Sequence, residues 1–192
     1  MDYYKSINWD SAPIEEILSI VTVQNEDREQ VVPLNKETEQ KVLELLNVDM
    51  SKIDMRKIML VYFPPSKSIS IHSDKPRETD DPGKLHRCII LPLKNCESLV
   101  WTWYEAIDPS KIFYYGEAAN WKTVPMIHHD NAKALKTITC KEPFLSDIGT
   151  FHALRNLSNK PAIALSIRLM PWAWDNLETE PILPPVPAIT LR

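Results

Sequence analysis

Sixteen prolines against three glycines in 192 residues constrain this chain more than any other feature of its sequence. Proline lacks a backbone N–H and clashes inside a helix, so a chain this rich in proline breaks into short segments joined by turns. Only two stretches are clearly helical: one begins near Pro13, and the other follows Asn35, whose side chain is expected to cap it. The composition therefore favours a fold built from short strands.

From about residue 53 the sequence changes to short segments that are apolar or that alternate between apolar and polar residues. Alternation is typical of a strand with one buried face, because successive side chains point to opposite sides. The strands predicted in this way cover residues 57–63, 68–72, 87–93, 98–104 and 161–170. Many short strands separated by turns predict an all-β core, a sandwich or jelly roll, with the helices collected at the N-terminus.

Three regions follow from this pattern. Residues 1–52 form a helical segment packed on the core, residues 53–175 form the β domain, and residues 176–192 form a proline-rich tail. The tail cannot be helical, and we expect it to lie extended. It would pack on the body of the protein or, in a homodimer, on a neighbouring subunit.

The composition argues against several classes of protein. A net charge of −4 without a cluster of Lys and Arg argues against nucleic-acid binding. No run approaches the roughly 20 apolar residues that a membrane span needs, so no membrane partner is expected. The cysteines Cys88, Cys96 and Cys140 lack CxxC spacing and are expected to be reduced, buried thiols. We therefore expect a cytoplasmic location.

His72, Ser73 and Asp74 form a His-x-Asp pattern, and His152 lies in the C-terminal half of the chain. In a strand, residues i and i+2 point to the same side, so His72 and Asp74 can share a metal ion. Two imidazoles and one carboxylate hold Fe(II) and leave its other positions open. The pattern predicts a metal site with His72, Asp74 and His152 as its ligands and catalytic residues.

Three motifs in order resemble the Fe(II)- and 2-oxoglutarate-dependent oxygenase superfamily. SIHSD (70–74) matches the first ligand motif, and the segment 143–158, which contains GTFH, matches the second. Between them, RCIILPL (87–93) is similar to a strand of aspartyl/asparaginyl β-hydroxylase-like and prolyl-hydroxylase-like members. The resemblance covers about residues 57–171 and implies a double-stranded β-helix, a relative of the jelly roll.

The resemblance also implies a cofactor, a cosubstrate and a reaction. Fe(II) would be bound by His72, Asp74 and His152, and 2-oxoglutarate would be the cosubstrate. Such an enzyme hydroxylates a C–H bond and releases succinate and CO₂. The substrate class stays open between a peptide side chain, a free amino acid and a small metabolite.

At one position the chain departs from the family pattern. These hydroxylases place the arginine that binds the far carboxylate of 2-oxoglutarate at the start of the last strand, where this chain has Ala162. Arg168 is one substitute, because it shares a strand face with Ala162, Ala164 and Ser166. Arg87, on the strand after the His-x-Asp loop, is the other. The clean alternation favours Arg168, with Ser166 beside it, as the cosubstrate-binding residue.

Asn156 follows His152 as in the family, and we expect it to shape the next turn and to support the metal or the cosubstrate. Trp101 and Trp103 share a strand face and are expected to belong to the core. Tyr114 and Tyr115 lie in a long insertion, where we expect substrate specificity to reside.

Three alternatives remain open at this stage. His128 and Asp130 form a second candidate metal pair, for which solvated loop residues are the favoured interpretation. The missing arginine at Ala162 is compatible with a cupin-like or degenerate jelly-roll protein that binds a metal or ligand without turnover. A structural β-sandwich in which the three ligands never meet is the third alternative.

Overall fold

A computed structural model describes residues 3–7, 13–23, 26–46, 53–74, 87–115 and 124–169. The two helices are α1 (Ile14–Ile20) and α2 (Lys36–Leu46). The strands are β1 (Tyr4–Ser6), β2 (Gln30–Pro33), β3 (Ile53–Phe63), β4 (Arg87–Lys94), β5 (Leu99–Ala106), β6 (Phe113–Tyr115), β7 (Val124–Met126), β8 (Ala132–Thr139), β9 (Phe144–Asp147), β10 (Phe151–Asn156) and β11 (Ala162–Leu169). Neither helix has the length and apolarity needed to cross a bilayer, and the described residues contain no other α-helix.

The strands form two main antiparallel sheets. The large sheet has the order β1-β9-β4-β11-β3-β2, and the small sheet has the order β10-β5-β8. Residues 68–72 extend the small sheet through isolated bridges to β10. The chain passes repeatedly between the sheets: β3 is in the large one, residues 68–72 in the small, β4 in the large, β5 and β8 in the small, β9 in the large, β10 in the small and β11 in the large. This winding is the jelly roll, or double-stranded β-helix, and the predicted fold class is confirmed.

The large sheet is buried on both faces. On β11, Leu165 and Ile167 pack in the cluster that contains the helices, whereas Ala162 and Ala164 face the small sheet. Burial on both sides explains why RCIILPL of β4 is almost continuously apolar. The three cysteines are buried and unpaired, as the sequence predicts.

The helices cover the outer face of the large sheet. Ile17 of α1 and Val42 of α2 are fully buried in the cluster that contains Leu165. Asn35 caps α2 as predicted, because its Oδ1 accepts a hydrogen bond from Thr38 N at 2.9 Å. The helices thereby cover the outer face of the large sheet. A binding site can form on the inner face, which is directed towards the small sheet.

One predicted strand differs from its expectation. Residues 68–72 do not form a continuous ladder but make bridges at Ser68 and His72. A regular strand would place Ile69 and Ile71 on one face, but Ile69 packs with the core between the sheets and Ile71 packs with Ile127. Between the bridges, Ile69 N donates to Leu154 O at 3.1 Å and Ile71 O accepts from Ile127 N at 3.2 Å, so the middle of the segment is bonded to two different neighbours. The tail at 176–192 lies outside the described residues.

Replacing Asn35 by Ala should destabilise the protein by about 1 kcal/mol, because the first turn of α2 loses its side-chain acceptor. Urea unfolding monitored by circular dichroism measures this change. Asn35→Asp, which retains an acceptor, serves as the control and should stay close to wild type. Equal losses in both variants would contradict the capping role.

Candidate metal centre

The three predicted ligands lie together. One ligand atom each from His72, Asp74 and His152 falls within 4.8 Å of the other two. Donor atoms bind an ion at about 2.0–2.2 Å, so a shared ion needs donors gathered this closely. The group is therefore able to hold a metal ion. It is the one such group of His, Cys, Asp and Glu side chains among the described residues.

His72 and His152 are directly opposite each other across two neighbouring segments. His72 N donates to His152 O at 3.0 Å, and His152 N donates to His72 O at 2.7 Å. Residues that exchange both backbone hydrogen bonds project their side chains to the same side of a sheet. The two ring centroids consequently lie 4.6 Å apart.

Both imidazoles are oriented by backbone carbonyl groups. Nδ1 of His72 lies 2.8 Å from Ser70 O, and Nδ1 of His152 lies 2.9 Å from Thr150 O. A carbonyl oxygen can only accept, so Nδ1 is the donor in each ring and Nε2 is the nitrogen left to bind a metal. Metal-binding histidines are commonly held in this way. The donor set therefore fits a metal ion.

Asp74 is held between a cation and the imidazoles. Its Oδ2 accepts a hydrogen bond from Arg168 Nη2 at 2.9 Å, and its Oδ1 lies 3.7 Å from His72 Nε2. Burial raises the pKa of Asp74, but the Arg168 guanidinium and the two imidazoles outweigh it, and the pKa lies below its usual range. The carboxylate is ionised at neutral pH, as a metal ligand must be.

His152 is enclosed by the core. Trp101 stacks on its ring with centroids 5.0 Å apart and planes 14° from parallel. Burial, with a smaller contribution from His72, lowers the pKa of His152 to about 4. The ring is neutral at pH 7 and needs to lose no proton to bind a metal. Trp101 is a core residue, as predicted, and in addition fixes the plane of this imidazole.

A turn before β10 joins the two ligand segments. The Asp147 carboxylate accepts from Gly149 N and Thr150 Oγ1, both at 2.8 Å. From the other segment, Asp74 N donates to Ile148 O at 2.9 Å and Ser73 Oγ to Gly149 O at 2.6 Å. We did not predict a role for Asp147 from the sequence. Its signal was the Asp-x-Gly-Thr spacing, in which an acidic side chain caps its own turn.

A cavity of about 310 Å³ opens beside the ligands. Its polar wall includes Ser166 and Arg168, the residues on the predicted face of β11. Two exposed residues also line it, Glu29 just before β2 and Val31 within β2. The rest of the wall is largely apolar and contains Val61, Ile69, Ile90, Trp101, Ile148 and Leu154.

Two predicted cosubstrate-binding residues are not found among the described residues that line this cavity. Arg87 belongs to the face of β4 that also carries Ile89 and Leu91, which pack towards the helices. The neighbouring Cys88 instead packs in the core between the sheets. By alternation, Arg87 lies on the face of β4 opposite to that of Cys88, and it is not among the residues that line the cavity.

Asn156, the other of these two residues, lies at the opposite end of β10 from His152 and organises the turn before β11. Its Nδ2 donates to Phe63 O at 3.0 Å and to Lys160 O at 2.8 Å. Its Oδ1 accepts from Ser158 N at 3.0 Å. The turn role expected from the sequence is therefore present, while the amide is directed away from the cavity.

Among the described residues, His128 and Asp130 belong to no group of three or more side chains that could hold a metal ion. His128 stacks on Phe113 with centroids 4.5 Å apart, and Asp130 is exposed on a short 3-10 turn. Tyr114 and Tyr115 of the insertion are exposed on β6. The hairpin of β6 and β7 approaches the site through a bridge between Met126 and His72.

No protein-family model and no curated protein matches the sequence. Among solved structures, E. coli ycfD is similar at 11% identity over 81% of this chain and 41% of that chain, with a TM-score of 0.40. TT1209 from Thermus thermophilus is similar at 12% identity over 79% and 92%, with a TM-score of 0.35. The Drosophila melanogaster CENP-C cupin domain is similar at 16% identity over 58% and 55%, with a TM-score of 0.27, so the chain spans little more than half of it. Values this low assign no family, and the fold rests on the strand order.

Three single variants, His72→Ala, Asp74→Ala and His152→Ala, should each bind Ni(II) at least about 100-fold more weakly than wild type. The loss of a hydrogen-bond partner of a ligand already costs about 10–100-fold in metal affinity, and a ligand itself contributes more. Isothermal titration calorimetry measures the affinity. His128→Ala and His129→Ala are the matched controls and should bind as wild type does. Weaker Ni(II) binding in the two controls, with unchanged binding in the variants of His72, Asp74 and His152, would show that the metal site lies elsewhere.

Replacing Asn156 by Ala should lower the free energy of unfolding by about 2–3 kcal/mol, because several buried backbone groups lose their partner. Metal affinity should stay near the wild-type value, since the turn is remote from the ligands. Chemical denaturation measures the free energy of unfolding, and a parallel titration measures the Ni(II) affinity. Weakened Ni(II) binding at unchanged stability would instead assign Asn156 to the metal site.

Proposed function

We propose that the protein is an Fe(II)- and 2-oxoglutarate-dependent dioxygenase. The observation that carries this proposal is the convergence of His72, Asp74 and His152 with both Nε2 atoms available as donors. This set is typical of Fe(II) sites that keep several positions open. The jelly roll and the cavity beside the ligands support the same function.

The residues of the cavity have separate tasks in this proposal. Arg168 is the one described residue lining the cavity with a permanent positive charge, so it meets a carboxylate of the keto acid. Ser166, two residues before it on the same face of β11, offers a hydroxyl group to the same ligand. Trp101 and the apolar wall keep water from the ligands. Fe(II), when bound, supplies the redox chemistry that activates dioxygen.

The overall reaction balances without a further reductant. One atom of O₂ enters a substrate C–H bond to give C–OH. The other enters the keto acid, which loses CO₂ and leaves succinate. The substrate class is a small molecule or a peptide side chain whose C–H group fits a largely apolar cavity of about 310 Å³.

A second candidate function is a jelly-roll protein that binds a metal or ligand without turnover. Ala162 and Ala164 are fully buried and offer no charge at the position of the usual anchor. Arg168 already pairs with Asp74, so a bound acid has to share this guanidinium. These two observations support the binding role as the second candidate.

Anaerobic addition of 2-oxoglutarate to the protein saturated with Fe(II) decides between the two candidates. A chelated keto acid gives a visible charge-transfer band, which the oxygenase proposal expects in the wild type. Arg168→Met should weaken 2-oxoglutarate binding by about 10–100-fold, since a charge-assisted hydrogen bond contributes about 1.5–3 kcal/mol. Arg87→Met, altered on the other face of the sheet, is the matched control.

Tight Fe(II) binding without any band would reject the dioxygenase in favour of the binding protein. A band that persists in Arg168→Met and disappears in Arg87→Met would reject the assignment of Arg168. Succinate release after admission of O₂ then tests turnover directly.

A further inference from the structure

The two carboxylate oxygens of Asp74 contact different side chains. Arg168 Nη2 lies 2.9 Å from Oδ2, whereas Oδ1 lies 3.7 Å from Nε2 of His72. The two oxygens therefore have different partners. Oδ1 is the oxygen that lies beside Nε2 of His72.

This ion pair is more than a surface contact. The Arg168 and Asp74 side chains are only 23% and 21% exposed. Removing one partner of a largely buried pair leaves the other charge without compensation, so each side chain holds the other in place. The partners also come from distant parts of the chain, because Arg168 belongs to β11 and Asp74 follows the segment 68–72. The pair thus fixes the position of the ligand segment relative to the large sheet.

We propose that Arg168 is a positioning residue for Asp74, which it holds as a one-oxygen ligand of the metal. By engaging Oδ2, the guanidinium prevents the carboxylate from binding the ion with both oxygens. One more coordination position then stays open for an external ligand. This inference rests on the metal site of the proposed function but not on 2-oxoglutarate.

The direction of the effect separates positioning from simple electrostatics. A positive charge beside a metal cation repels it, so a purely electrostatic Arg168 would weaken metal binding and its removal would strengthen it. A positioning Arg168 has the opposite effect. Its removal leaves Asp74 poorly oriented, and metal binding becomes weaker.

A double-mutant cycle measures this effect directly. The Ni(II) affinities of wild type, Arg168→Met, Asp74→Asn and the double variant are compared by competition with a chromogenic chelator. Ni(II) binds most sites more tightly than Fe(II), so weakened variants stay measurable. Arg168→Met should bind Ni(II) about 10–100-fold more weakly than wild type. In the Asp74→Asn background the same change should alter the affinity by no more than about 2-fold.

Two further variants complete the design. Arg87→Met removes an arginine from the opposite face of the same sheet and should change the affinity by no more than about 2-fold. Arg168→Lys keeps the charge but not the planar fork, and should bind Ni(II) with an intermediate affinity. If circular dichroism shows that Arg168→Met is unfolded, Arg168→Lys replaces it in the cycle, with an expected loss of about 10-fold.

Unchanged or tighter Ni(II) binding on removal of Arg168 would overturn the proposal, and so would equal losses in both Asp74 backgrounds. Its failure is distinct from that of the proposed function. A missing charge-transfer band together with the expected cycle rejects 2-oxoglutarate but keeps the positioning role. A normal charge-transfer band, together with no effect of Arg168→Met on Ni(II) affinity, rejects the positioning role but keeps 2-oxoglutarate.

Discussion

The candidate site depends on the reciprocal backbone hydrogen bonds between His72 and His152. Side chains alternate between the faces of a strand, so a slip of one residue in this pairing would turn one imidazole away from the other. The turn at residues 147–150 secures the register, because Asp147 closes it and both Ser73 and Asp74 bind to its backbone. Much of the geometry of the candidate metal centre is therefore fixed by backbone hydrogen bonds.

The layers of the fold give this site its chemical environment. The helices cover the outer face of the large sheet, so the inner face is free to combine an apolar wall with a few polar groups. Burial keeps His152 neutral, while the Arg168 guanidinium keeps Asp74 charged. Two neighbouring ligands thus hold the different charge states that a mixed nitrogen and oxygen site requires.

Much of the fold and the ligand set could be predicted, because alternation, helix caps and the His-x-Asp spacing are local signals. The irregular path of residues 68–72 could not, since it depends on bridges to distant segments. The ion pair of Arg168 with Asp74 joins residues far apart in sequence and leaves no local trace. Alternation of side chains along β4 could in principle have predicted the face on which Arg87 lies. The almost uniformly apolar strand β4 hid the alternation that would have shown it.

The cavity is not made by the jelly roll alone. Glu29, just before β2, and Val31, within β2, contribute to its wall. β2 is an edge strand of the large sheet and precedes residues 53–169 in sequence. A fragment that began at residue 53 would retain all three metal ligands and yet open the cavity to solvent on that side. The N-terminal segment therefore contributes to the wall of the same cavity as the jelly roll. A substitution at Glu29 would change this wall without altering His72, Asp74 or His152.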